Sequence, residues 1–112
     1  MLKNKIILVP FPFDDLSAAK VRPAVCLTEA LGPYQHVILA FITSRIPDDL
    51  LSSDLVIEEN TPEFVPVGLK VTSTIRLHRL LTISTSALKR ELGEVSTQTQ
   101  RAIKERLEEL FK

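Results

Sequence analysis

Residues 6–23 read IILVPFPFDDLSAAKVRP, and this stretch decides how the chain begins to fold. An apolar, β-prone run is interrupted by Pro10 and Pro12, opens into a polar loop over residues 14–20, and closes on Arg22 in front of Pro23. A residue before proline is pushed toward extended conformation, so Arg22 is expected at the start of a strand. Pro10 and Pro12 stop the first strand or confine it to a sheet edge, because proline cannot donate to a ladder. A strand, a turn-rich loop and a second strand make a β-type opening. Arg22 is left to meet a phosphate, a carboxylate, or a local partner such as Asp14 or Asp15.

Working outward, residues 5–10 are the first strand and residues 23–27 the second, nearly all apolar and so buried on both faces. Gly32-Pro33 marks a turn. Residues 36–43, HVILAFIT, form the most apolar strand, which suits a central place. Residues 44–53 and 60–70 read as loops, with a short strand over 54–58 between them. Residues 72–84 alternate until Arg79 and Leu80, where either a bulge shifts the phase or two strands meet. Residues 87–92 suggest a short helical turn ended by Gly93.

The period then changes. Ala102, Ile103, Leu107, Leu110 and Phe111 share one helical stripe. Thr97 and Gln100 have capping-box spacing, and Arg101–Glu105 and Lys104–Glu108 are spaced to pair on the wet face. The expectation is a single domain over residues 1–112, mainly β, a small bent barrel with a docked C-terminal helix.

Composition narrows the function. The chain has 112 residues and is 45% apolar, enough for one core without metal or disulfide help. It lacks the run of about 18 apolar residues that a membrane span needs. The N-terminal apolar stretch is too short and proline-broken for a signal peptide. Cys26 stands alone in the run AVCL and reads as a buried thiol rather than a nucleophile. Together these features point to the cytoplasm. Net charge is zero, but its distribution is uneven. Residues 46–69 carry acids and no Lys or Arg, whereas residues 70–90 carry Lys70, Arg76, Arg79, Lys89 and Arg90 and no acid. The basic block focuses a positive field on one face, or the acidic segment simply packs beside it.

One cysteine and two distant histidines offer no zinc spacing, so no metal is expected. With three glycines there is no phosphate-binding glycine loop and no dinucleotide fingerprint, so no cofactor is expected either. The remaining candidates are polar residues at strand ends: Arg22; Thr43, Ser44 and Arg45; then Arg76, His78 and Arg79. An arginine fork holds two phosphate oxygens at once, and histidine moves protons near neutral pH. Each also has a plain structural reading, as a surface ion-pair partner, a β-branched strand residue or a solvated ring.

The segments IILVPFPFDDLSAAKVRPAVCL, ILAFITSRI, GLKVTSTIRLHRLLTIS and LGEVS, followed by the terminal helix, resemble the MazF/PemK (Kid-like) family of type II toxin–antitoxin toxins. They occur in the family's order and span nearly the whole chain. The resemblance implies an SH3-like barrel that works as a homodimer and a metal-free endoribonuclease acting on single-stranded RNA. It also implies a cognate antitoxin whose acidic, flexible segment covers the groove, for which the basic block 70–90 is a suitable surface. The family's R-P arginine falls on Arg22 and its strand-closing hydroxyl on Thr43. In the Kid-like branch an arginine and an aspartate two residues later act as acid and base, and those positions here are Arg76 and His78. Ser44, Arg45, Lys70 and Arg79 are the accompanying candidates for RNA contact, with loops 14–20 and 44–53 as walls that select bases. Two departures stand out: Asn4-Lys5 replaces the family's Gly-Asp, and His78 replaces the branch's aspartate. The alternatives are a CcdB-like toxin that binds DNA gyrase without chemistry, and a degenerate member that keeps only the fold.

Overall fold

The computed structural model describes residues 1–11 and 20–112, so most of the loop expected over 14–20 lies outside the described residues. Six antiparallel strands, β1 (Lys5–Phe11), β2 (Lys20–Cys26), β3 (His36–Thr43), β4 (Asp54–Ile57), β5 (Ser73–Ser84) and β6 (Glu91–Glu94), form one curled sheet. Their order is β4-β5-β3-β2-β1-β6, and the helix α1 (Thr97–Leu110) follows the last strand. The mainly β fold with a C-terminal helix is thus as the patterning predicts, and the barrel is an open half-barrel with β4 and β6 at its edges. The apolar β3 is interior, between β5 and β2.

Pro10 acts differently from expectation, and Pro12 lies outside the described residues. β1 runs through Pro10 to Phe11 and lies between β2 and β6. Leu8 exchanges backbone bonds with Arg90 and Lys89 on the β6 side. Backbone groups alternate sides along a strand, so Pro10 faces that same side, past the point where β6 pairing ends. The missing N–H costs no ladder bond there. In β2, Leu27 donates to Ile38 of β3, so Pro23 also faces β3. The β2–β3 ladder accordingly ends at the pair Ala24–Phe41, one residue short of the proline. β2 itself continues back to Lys20, still paired with β1. Arg22 therefore stands within a strand, where two neighbouring strands part company, and not at a strand start.

β5 is one strand with a large bulge. Ala40 pairs with Leu80 and Phe41 with Arg76, leaving Leu77, His78 and Arg79 without a rung on β3. This is the phase break seen at Arg79 and Leu80 in the sequence.

The helical turn expected over 87–92 does not form: a 3-10 turn at Thr85–Ala87 precedes it, and Gly93 belongs to β6. Glycine serves there for close approach: a Cβ would overlap the backbone of Pro66 and Val67. Gly68, at φ 72°, makes the reciprocal approach to Leu92. The cap of α1 is Ser96, whose Oγ accepts from the Thr99 amide at 3.1 Å, rather than Thr97. Gln100 turns back to the Val95 carbonyl instead of closing a box. At the far end Lys112 sits 3.9 Å from Glu109. Among the described residues that contact is the ion pair along α1, and neither spaced pair forms.

The two sheet faces carry separate cores. Ile6, Val25, Ala40, Ile42, Ile57, Ile75 and Leu77 pack beneath α1, which contributes Ile103 and, partly buried, Leu107. The stripe fades beyond them, and Leu110 and Phe111 are exposed. The alternate residues Ile7, Val9, Ala24, Cys26, Val37, Leu39 and Phe41 make the second cluster. Cys26 is buried as expected. Among the described residues no helix is long and apolar enough to cross a membrane.

Candidate nucleic-acid interface

Strand alternation gathers the polar candidates on the second face. Arg22 pairs with Val9, and Arg76 pairs with Phe41, so both arginines share the face of the cluster that contains Val9 and Phe41. Thr43, two residues beyond Phe41, pairs with Thr74, two residues before Arg76. Thr43 thus sits one same-face step from the Arg76 rung. Continued past Pro23, the β2–β3 register would set Arg22 opposite Thr43. The exposed Arg22, the half-buried Thr43 and the Arg76 cluster therefore line one end of β2, β3 and β5.

The tightest part of this row was not singled out from the sequence. Asp54, the first residue of β4, pairs with Arg76 across the ladder. Its carboxylate is 0% exposed and accepts from Arg76 Nε and Nη2, both at 3.1 Å, and from the Leu51 amide at 2.9 Å. A buried carboxylate is costly unless paired and hydrogen-bonded, and the two-point fork with a third donor meets that need. His78 Nδ1 lies 3.9 Å from Asp54 Oδ1, too long for a hydrogen bond but close for charge. Asp49 reaches Arg76 Nη2 at 3.9 Å from the exposed loop. The acidic segment and the basic block do meet, through Asp54 and Arg76. The position that reads His78 where an aspartate is expected has a carboxylate beside it, delivered from β4.

Other supports fix the frame. The buried Thr74 hydroxyl donates to the Arg45 carbonyl at 2.7 Å, which pins the chain where it leaves β3. Arg106 of α1 donates through Nη1 to the Ser52 and Asp54 carbonyls, both at 2.8 Å. The Arg79 guanidinium carbon lies 5.1 Å from the Phe41 ring centroid, a cation–π distance. Ser44 and Arg45 are exposed just past β3, and Lys70 is exposed before β5, outside the Asp54–Arg76–His78 group. Asp54 was hidden in the sequence because one aspartate among six acids carries no local mark. A cue was its place opening the short strand DLVI, after a loop.

No three His, Cys, Asp or Glu side chains cluster as metal ligands among the described residues. Two hollows lie beside the helix, away from this row: one of about 220 Å³ between β4 and α1, another of about 710 Å³ between α1 and the Lys3-Asn4 turn.

A half-barrel with a terminal helix defines the fold class, and the sequence places the chain in a family. The chain belongs to the PemK-like, MazF-like toxins of type II toxin–antitoxin systems, which it matches over residues 3–111. Its fold is similar to that of the Mycobacterium tuberculosis toxin MazF-mt6, with 21% identity, a TM-score of 0.73, and 96% of this chain and 95% of that one covered. An endoribonuclease in complex with its cognate antitoxin, from a mycobacterial species, is also similar: 14% identity, TM-score 0.71, covering 99% of this chain and 94% of that one. A further mycobacterial endoribonuclease aligns at 14% identity and TM-score 0.68, over 99% of this chain and 90% of that one. No curated protein matches the chain.

Proposed function

We propose that this toxin is an endoribonuclease that cuts single-stranded RNA without a metal, using the substrate's own 2′-hydroxyl as nucleophile. The observation that carries the reading is the shared face of Arg22, Thr43 and Arg76 at one end of the half-barrel, with His78 near Asp54, the ladder partner of Arg76. Family membership and the endoribonuclease names of two structural neighbours support it.

The reaction needs three services from the protein. The 2′-hydroxyl must lose its proton, the phosphorane must be neutralised, and the leaving 5′-oxygen must be protonated. Arg22 neutralises the phosphorane, because it is exposed and held by a β1-paired backbone beside the gap that Pro23 opens. Thr43 orients the phosphate through its hydroxyl. His78 takes the proton as general base. Arg76 is a second phosphate contact or the proton donor. Ser44, Arg45, Lys70 and Arg79 extend the contact along the strand of RNA. Dependence on a 2′-hydroxyl excludes DNA, and in-line attack favours a backbone not locked in a duplex.

The toxin acts as a cytoplasmic homodimer. A cognate antitoxin covers the same row with an acidic segment, so antitoxin and RNA compete for it. One structural neighbour carries its antitoxin in the complex.

The test is cleavage of total RNA in EDTA. Wild-type protein should cut, and Arg22→Ala should cut about 10²–10³-fold more slowly, the usual loss when one transition-state donor is removed. Full cleavage by the variant removes Arg22 from the reaction, and loss of wild-type cleavage on chelation ends the metal-free mechanism. A wild-type protein that leaves RNA intact but inhibits DNA gyrase would be a binding toxin instead.

A further inference from the structure

Among the described residues Asp54 is the fully buried carboxylate of the row; it binds Arg76 directly and lies 3.9 Å from His78. We propose that Asp54 is the positioning residue of the site, holding the Arg76 fork in one orientation and supplying the negative charge that position 78 lacks. The inference rests on the endoribonuclease reading and adds a residue to it.

Three observations carry it. First, Asp54 grips Arg76 by its Nε and Nη2 edge, so the Nη1 edge is turned away from the carboxylate. A guanidinium held at two points keeps a direction that a single contact would leave loose. Second, His78 lies in the β5 bulge, where no rung on β3 fixes the backbone. Asp54 Oδ1, 3.9 Å from the ring, is a fixed negative charge beside it. The proton that His78 accepts is then received next to a carboxylate and not only next to Arg76. Third, Asp54 is itself braced. Its Oδ2 takes the Leu51 amide, and its carbonyl and that of Ser52 are held by Arg106 from α1. The helix thereby fixes the end of β4 that carries the carboxylate.

Catalytic groups held loosely lose rate more than binding, and a misplacement of about 1 Å can cost on the order of 100-fold. Steady-state cleavage of a single-stranded RNA is the assay, on wild-type protein, Asp54→Asn, Arg106→Gln, Arg76→Ala and the double variant Arg76→Ala/Asp54→Asn. Asp54→Asn should lower kcat by about 100-fold with little change in KM. Arg106→Gln should lower kcat by less, again with KM held. Asp54→Asn should lower kcat much less when added to Arg76→Ala than when made alone, since its main partner is already gone. Circular dichroism and melting separate lost folding from lost rate. Should Asp54→Asn fail to fold, Asp54→Glu, which keeps the charge but displaces it by one methylene, replaces it and should also lose kcat with KM held. Wild-type kcat in Asp54→Asn, fully additive losses, or wild-type kcat in both Arg106→Gln and Asp54→Glu would overturn the positioning role. Wild-type protein that cuts no RNA overturns the endoribonuclease reading itself, a distinct outcome.

Discussion

The two faces of the same sheet are made from alternate residues of the same strands, and they do different work. Ile75 and Leu77 of β5 lie buried beneath α1, while Thr74 and Arg76 between and before them point to the other side. On β3, Ala40 and Ile42 join the helix-side core, and Phe41 and Thr43 the opposite face. The helix side is mainly apolar, with Ser73 and Thr99 as its buried polar residues. The opposite face is apolar only toward Val37 and Leu39, and it turns polar toward Arg22, Thr43, Arg76 and Asp54. A period of two lets one strand carry stability on one face and chemistry on the other. Substitutions should therefore separate stability from cleavage by parity, not by position along the chain.

The largest effect that would break this comparison is on the helix side. Ile75→Ala should cost about 2–5 kcal/mol of stability in chemical denaturation, the range for emptying a close-packed core site. Arg22→Ala, on the other face and exposed, should shift stability by no more than about 0.5 kcal/mol while removing most cleavage. Equal stability losses in the two variants would end the division of labour.

Gly93→Ala comes next, at about 1–3 kcal/mol, because the added Cβ would force the Pro66-Val67 backbone away from β6. A melting temperature equal to wild type would mean the strand and the 3-10 turn at Val65–Val67 can separate freely.

A smaller effect reports on the apolar end of the polar face. Burial pushes the Cys26 thiol above its ordinary value of 9.0, and a backbone hydrogen bond at Thr28 opposes this only in part. Thiolate is therefore scarcer than in an unfolded chain, and alkylation at pH 8 should be much slower in native protein than in denaturant. Equal rates would show that this end of the face opens readily.

The smallest effect lies at the margin. The Leu2 amide, donating at 2.8 Å, holds the Glu29 carboxyl below its ordinary 4.5. A depressed carboxyl adds stability that is full above the unfolded value and is lost as pH falls through the folded one. Glu29→Gln should flatten that acid limb of the stability curve. An unchanged limb would mean the contact does not hold in solution.

Much of this was legible in the strand sequences. A continuous apolar run marked β3, alternation marked the first half of β5, and the break at Arg79 and Leu80 marked the bulge. Arg22, Thr43, Arg76 and His78 were each visible as polar residues at strand ends or on an alternating face. Asp54 was not, because its importance comes from β4 lying against β5, and 21 residues separate Asp54 from its partner Arg76 in the chain. Arg106 was hidden for the same reason: on the helix it reads as one more surface cation, and only docking brings it to the Asp54 carbonyl. Gly93 was misread because a glycine that ends a helix and one that admits another backbone look alike in sequence.

By itself the sequence determined the strand periods, the prolines that withhold ladder bonds, the helix stripe and the family. Those properties are local, set by side-chain alternation and backbone sterics within a few residues. The tertiary structure alone decided that β2 and β3 separate beside Arg22, and that a buried aspartate from the edge strand holds Arg76 beside His78. Those depend on which distant strands become neighbours, and burial then makes a carboxylate seek the arginine across the ladder.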